Sequence, residues 1–297
     1  MTAERAQELA TWQQDLARAG YIAEPQLVAA LMLMDDLGRP LLLEGDAGVG
    51  KTEVAKVLAS VRNTRLIRLQ CYEGLDAHAA MYEWNYQRQL LAIKLLEHDE
   101  RGIAQKEQDI FSERYLLKRP LLEAITAEQS PVLLIDEVDR ADEAFEAYLL
   151  ELLSDFQMSI PELGTIHAKT RPMVVITSNG TRELSDALRR RCLYQYIDYP
   201  DYDKELAIVR KKAPDATAEL AQQIVAFVQS VRRMELQKKP GIAETLDWTA
   251  ALLRLGITTI EKDGAERIME TLSALIKTRD DRVAFPREVV ARLAAAA

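Results

Sequence analysis

The sequence predicts an α/β domain built on a mainly parallel five-stranded sheet, followed by a small all-helical domain. Three observations predict it: short continuous apolar runs separated by helical stretches, a glycine-rich turn between the first run and a helix, and loss of strand signal after Tyr199-Pro200. The apolar runs are Leu41–Leu43, Leu66–Leu69, Val132–Ile135 and Val174–Ile176, with Leu193–Ile197 as a fifth and weaker one. Runs of this length suit buried parallel strands, which are covered on both faces.

Helical spacing fills the intervals. Leu9, Trp12, Leu16 and Ala17 recur at helical intervals before Gly20, and Leu27, Leu31 and Met34 mark a second helix. Phe145, Leu149, Leu152 and Leu153 share one face of another. Beyond the last strand, Leu220, Ile224, Phe227 and Val231 stand at i, i+4, i+7 and i+11, and further helical stretches cover 244–255 and 265–276. The expected division is 1–200 for the α/β domain and 201–297 for the helical one. Insertions are expected at about 71–120, between the second and third strands, and as a hairpin at about 156–170 turning near Glu162-Leu163-Gly164.

Composition narrows the function classes. The 297 residues carry a formal net charge of −9, with 48% hydrophobic and 29% charged residues, which is ordinary for a globular protein and argues against long disorder. An acidic surface repels phosphate backbones, so no nucleic-acid partner is expected. The apolar stretch Leu27–Met34 stops at Asp35-Asp36, too short to span a bilayer, and no basic signal-peptide start precedes it. A cytoplasmic protein without stable membrane insertion is expected. Cys71 and Cys192 form no CxxC pair and the histidines no HExxH pattern, so neither a disulfide framework nor a zinc site is expected.

The chemistry is concentrated in four places. Gly45-Asp46-Ala47-Gly48-Val49-Gly50-Lys51-Thr52 fits GxxxxGK[ST], directly after a strand and at the start of a helix, with Glu53 following. Glycines let the backbone N–H groups face a phosphate, and the helix N-terminus adds partial positive charge. Lys51 would neutralise β- and γ-phosphate oxygens of ATP, and the Thr52 hydroxyl would ligate Mg²⁺. The run Val132–Ile135 ends in Asp136-Glu137, two carboxylates at the C-terminal edge of the sheet, where ligands of such folds bind. There Asp136 would hold Mg²⁺ through water, and Glu137 would orient and deprotonate the attacking water. The strand Met173–Thr177 leads to Asn179, an amide suited to positioning that water and sensing loss of phosphate. Leu188-Arg189-Arg190-Arg191-Cys192 follows, and one arginine is expected to reach the γ-phosphate of a neighbouring subunit: Arg191 first, Arg190 next.

These elements in this order resemble the AAA+ ATPases, P-loop NTPases with a helical lid domain. Further stretches resemble more specifically the MoxR branch and its CoxD-like members, which are linked to carbon monoxide dehydrogenase maturation: Leu69-Gln70-Cys71-Tyr72-Glu73-Gly74-Leu75-Asp76, Asp136-Glu137-Val138-Asp139-Arg140-Ala141-Asp142, Ser154-Asp155-Phe156-Gln157 and Pro240-Gly241-Ile242-Ala243-Glu244-Thr245-Leu246-Asp247-Trp248. The resemblance implies a homo-oligomeric ring, usually hexameric, with ATP at subunit interfaces. It also implies a partner with a von Willebrand factor A domain and a remodelled protein client such as a molybdenum hydroxylase. By family position, Gln70 gates the catalytic glutamate, Tyr21-Ile22 packs on adenine, Arg140 contacts a neighbouring subunit and the 156–169 hairpin lines the central pore. Many relatives carry a Pro-Arg pair at the start of a lid helix. Here Gly241–Trp248 has no arginine, and Pro286-Arg287 is the substitute candidate. The expected activity is ATP hydrolysis driving client remodelling. The alternative is a nucleic-acid-associated motor or clamp-loader-like ATPase.

Overall fold

The computed structural model describes residues 3–96, 102–260 and 264–297. They group into two compact units. One consists of residues 3–15, 25–44, 54–96 and 102–195, the other of residues 16–24, 45–53, 196–260 and 264–297.

The first unit carries the sheet. Helices α1 (Ala3–Arg18) and α2 (Pro25–Leu37) open the chain, followed by β1 (Leu41–Glu44), α3 (Lys51–Val61) and β2 (Leu66–Gln70). An insertion then supplies α4 (Ala77–Met81), β3 (Tyr82–Trp84), α5 (Tyr86–Leu95), α6 (Ile103–Ile110), β4 (Leu116–Lys118) and α7 (Pro120–Ile125). Residues 97–101 of this expected insertion lie outside the described residues. The chain continues through β5 (Val132–Asp136), α8 (Glu143–Asp155), β6 (Gln157–Ile160), β7 (Gly164–His167), β8 (Met173–Ser178), α9 (Asp186–Arg191) and β9 (Leu193–Tyr196).

The five apolar runs become one sheet in the order β2-β5-β8-β1-β9. The pairs β2·β5, β5·β8 and β1·β8 are parallel. Val132, Leu133, Leu134 and Ile135 are wholly buried, as a central strand between two covered faces demands. β9 is half-buried in alternation at one edge, which explains its weaker apolar signal. Parallel register places Gln70 opposite Asp136 and Glu44 opposite Ser178, so the polar ends of these strands line up along one edge. The segment after α8 is the expected hairpin: β6 and β7 pair antiparallel, Ile160 opposite Gly164.

The second unit is helical after Tyr196: α10 (Tyr202–Lys212), α11 (Ala218–Arg232), α12 (Ile242–Arg254), α13 (Gly264–Thr271), α14 (Arg279–Val283) and α15 (Arg287–Ala295). Asp201 and Thr217 cap α10 and α11 by accepting from the Lys204 and Leu220 backbone N–H groups. Phe227 and Trp248 lie 4.8 Å apart at the core. The expected helix over 265–276 tightens into a 3-10 turn at Leu272–Ala274. There Thr271 Oγ1 accepts from the Trp248 indole at 2.7 Å, and the i, i+3 spacing aligns Leu272 with Leu275, both buried in the core.

One ion pair is sealed inside this unit. Arg232 and Glu205, 6% and 0% exposed, meet through two parallel bonds of 2.6 Å. Thr245 Oγ1 donates to Glu205 at 2.8 Å, and Arg232 Nε donates to the Pro240 carbonyl at 2.6 Å. Removing one partner leaves an uncompensated buried charge. Glu205→Gln is therefore expected to destabilise the protein by about 3–5 kcal/mol, read as a lower urea midpoint. An unchanged midpoint contradicts this reading of the pair.

Candidate nucleotide site

Within the second unit the glycine-rich loop packs against the start of α12. Ile242 N–H donates to the Gly48 carbonyl at 2.9 Å, and a Cβ at Gly241 would meet the Gly48 backbone at 2.7 Å. Two backbones therefore touch where any side chain would separate them, and this is the physical reason for glycine at 241. At the other end of the loop, a Cβ on Gly45 would stand 2.1 Å from the Ile197 carbonyl oxygen. Lys51, 6% exposed, donates from Nζ to the carbonyls of Gly45 and Asp46, each at 2.7 Å. Glu244 caps α12 by accepting from Gly241 N–H at 2.9 Å.

Tyr199 ties the loop to the buried ion pair. Its phenol is pushed up to about 12, first by burial and then by the Asp46 carboxylate to which it hydrogen-bonds, against the opposing effect of Arg232. The Arg232 guanidinium lies 5.2 Å from the Tyr199 ring centre. Tyr21 and Ile22, the expected adenine contacts, belong to the same unit as the loop and are partly buried. Burial and then the charges of Glu24 and Glu53 raise the Tyr21 phenol.

Within the sheet-bearing unit the C-terminal edge gathers the second set of residues. Asp136 is 3% exposed. Its Oδ1 accepts from Thr177 Oγ1 at 2.6 Å, and its Oδ2 accepts from Arg68 Nε at 3.1 Å and Nη2 at 2.5 Å. Glu137 takes the left-handed backbone conformation, φ 55° and ψ 51°, while its N–H donates to Thr177 Oγ1 at 2.8 Å. A non-glycine residue there is strained by about 1–3 kcal/mol, and such strain clusters at functional sites. The Glu137 carboxylate accepts from Gln70 Nε2 and Arg140 Nη1, both at 3.1 Å. Desolvation, and then Asp136, Asp139 and Glu137, push the buried Cys71 thiol up to about 12.

Asp139 binds the turn after β5 to the loop after β8. It accepts from Asn179 N–H at 3.2 Å, Thr181 N–H at 3.0 Å and Thr181 Oγ1 at 2.6 Å. The Asn179 backbone is thereby fixed to the turn that follows Glu137.

The three arginines of α9 have different surroundings. Arg189 pairs with Glu44 at 3.3 Å. Arg191 donates to Ser154 Oγ at 2.5 Å and to the Ala187 carbonyl at 3.0 Å. Arg190 is 83% exposed at its side chain, with Asp186 4.0 Å away. Upstream, the buried Glu146 receives Arg182 and the Ser185 N–H and so fixes the start of α9. Arg287 makes a surface pair with Glu266 at 3.0 Å.

Sequence reasoning overlooked Arg68, Thr177, Asp139 and Glu146. Arg68 had a visible signal: β2 alternates, so Arg68 and Gln70 share a face that ends at the carboxylates. Thr177 also stood out, as a hydroxyl inside an apolar strand. Asp139 and Glu146 depend on partners about forty positions away and gave no local signal.

Burial alone pushes the Asp139 carboxyl up, but the hydrogen bonds from Thr181 and Asn179 outweigh it and hold the group below its ordinary value. A depressed folded value adds stability above the unfolded value of about 3.9, and that stability is lost as pH falls through the folded value. Asp139→Asn is expected to cost about 1–3 kcal/mol at pH 7, with the gap to the native protein closing below about pH 4. Urea unfolding across this range checks both the size and the sign. A gap independent of pH contradicts the assignment.

A model of the AAA domain, dynein-related subfamily, matches residues 40–192, just over half of the chain. Among curated relatives, an uncharacterized protein of Staphylococcus haemolyticus (strain JCSC1435) is 26% identical over 210 residues, 68% of this chain and 72% of its own. An uncharacterized protein of Staphylococcus aureus (strain bovine RF122) is 26% identical over 227 residues, 74% of this chain and 78% of its own. Among solved structures, the RuvB Holliday junction branch migration motor of Thermotoga maritima is similar at 20% identity and a TM-score of 0.45, over 91% of this chain and 71% of that one. Among the described residues no helix is long and apolar enough to cross a membrane. With its phosphate loop, paired strand-end carboxylates and matched segment, the chain belongs to the dynein-related subfamily of AAA domain proteins.

Proposed function

We propose that the protein hydrolyses ATP as a ring-forming AAA+ ATPase of the MoxR type and uses the energy to remodel or mature a protein client. One observation carries the reading: the Asp136-Glu137 pair at the end of the interior strand β5, with the Glu137 carboxylate held by Gln70 and Arg140.

Lys51 and the N-terminus of α3 bind the phosphates of ATP, and Tyr21 and Ile22 flank its base. Thr52 and Asp136 hold Mg²⁺, which needs only one or two protein oxygens beside nucleotide phosphates and water. When bound, Mg²⁺ draws charge from the phosphate oxygens as the terminal bond breaks. Glu137, freed from Gln70, takes a proton from the attacking water, and Asn179 orients that water. An arginine from the next subunit neutralises charge in the transition state. Arg191 takes this role if contact with the neighbour draws it from Ser154, and Arg190 is already directed to solvent. The resemblance extends the proposal to a hexameric ring, a von Willebrand factor A domain partner and a client such as a molybdenum hydroxylase, in the cytoplasm.

Glu137→Gln is expected to bind ATP and to hydrolyse it at least about 100-fold more slowly. Arg191→Ala or Arg190→Ala, whichever is the finger, is expected to lose about 1,000-fold while binding survives. Mixing the Glu137→Gln protein with the finger variant restores part of the turnover, because some interfaces regain both groups. Near-normal turnover in the single variants, or no recovery in the mixture, counts against the shared site.

A further inference from the structure

We propose that Arg68 is a resident counter-ion of Asp136 that competes with Mg²⁺ for this carboxylate, an inference that rests on the ATPase reading above. Asp136 is 4% exposed at its side chain, and a carboxylate so buried is costly without a compensating cation. Arg68 supplies that charge through two N–H groups on Oδ2, while Thr177 occupies Oδ1. Mg²⁺ must approach carboxylate oxygens to about 2.1 Å or bind them through its own water. Either way it joins a carboxylate whose Oδ2 already carries a positive guanidinium, and the two cations oppose each other.

The arginine is built to leave. Its side chain is 49% exposed, so the head can swing into water while the stem stays on β2. Its departure also has a consequence for the general base. Arg68 Nη2 donates to Gln70 Oε1 at 2.6 Å, and Gln70 Nε2 donates to Glu137 at 3.1 Å. A guanidinium only donates and a carboxylate only accepts, so the Gln70 amide has one orientation, with its nitrogen on Glu137. When Mg²⁺ displaces Arg68, Gln70 loses the partner that fixes this orientation and its hold on Glu137 loosens. Arrival of the metal is thereby coupled to release of the base.

The test is an equilibrium titration of Mg²⁺ into protein and a fluorescent, non-hydrolysable ATP analogue, comparing wild type, Arg68→Gln and Arg68→Lys. Arg68→Gln is expected to lower the half-saturating Mg²⁺ concentration about threefold to fivefold, the upper range of an exposed ion pair. Arg68→Lys, which keeps the charge but loses the two-pronged grip, is expected to shift it about twofold the same way. A midpoint equal to or above wild type in Arg68→Gln overturns the proposal. If that variant does not fold, an unshifted Arg68→Lys overturns it instead. Wild type that binds the analogue without any Mg²⁺ dependence overturns the competition alone, whereas wild type that never binds the analogue overturns the ATPase reading with it.

Discussion

A charged carboxylate at the end of a strand that is otherwise wholly apolar is the constraint around which the sheet-bearing unit is organised. Parallel pairing on both sides buries Val132 to Ile135 completely, so β5 can present a polar group only where it leaves the sheet. Asp136 stands there, and low-dielectric surroundings make its charge expensive unless every lone pair is used. Thr177 from β8 and Arg68 from β2, the two neighbouring strands, satisfy it. Glu137 follows in a strained backbone conformation that Thr177 also secures. One hydroxyl therefore holds the Asp136 carboxylate and the Glu137 backbone.

The phosphate loop depends on a different buried charge. Glu205 and Arg232 lie inside the helical unit, and Arg232 holds the Pro240 carbonyl just before the Gly241 turn that receives Gly48. The position of the turn is thus set by an ion pair whose loss would leave a lone charge in the core. At the start of α12 this chain places a glycine backbone against the loop. The contact between loop and lid helix is made by main-chain atoms and by the Glu244 cap.

Much of this was legible in the sequence wherever the signal was contiguous. Leu41–Leu43 and Val132–Ile135 read as buried strands because both faces are apolar, and the phosphate loop reads as one because its glycines stand in a single word of eight residues. The 3-10 turn at Leu272 escaped because the apolar spacing runs on through it, and the Trp248 indole that meets Thr271 there lies 23 positions away. The Arg68–Asp136 contact spans 68 positions: the alternation of β2 shows which face Arg68 takes, but not that β5 is the neighbouring strand. Likewise, three adjacent arginines look equivalent in sequence, whereas helical rotation gives Arg189 to Glu44, Arg191 to Ser154 and Arg190 to solvent.

The central claim is that this chain grips the triphosphate of ATP through Lys51 and the loop before it. Calorimetric titration of Mg²⁺-ATP into the native protein and into Lys51→Ala tests it most directly. The account predicts saturable binding to the native protein and its loss in the variant. Absence of binding to the native protein, or equal affinity in both, contradicts it.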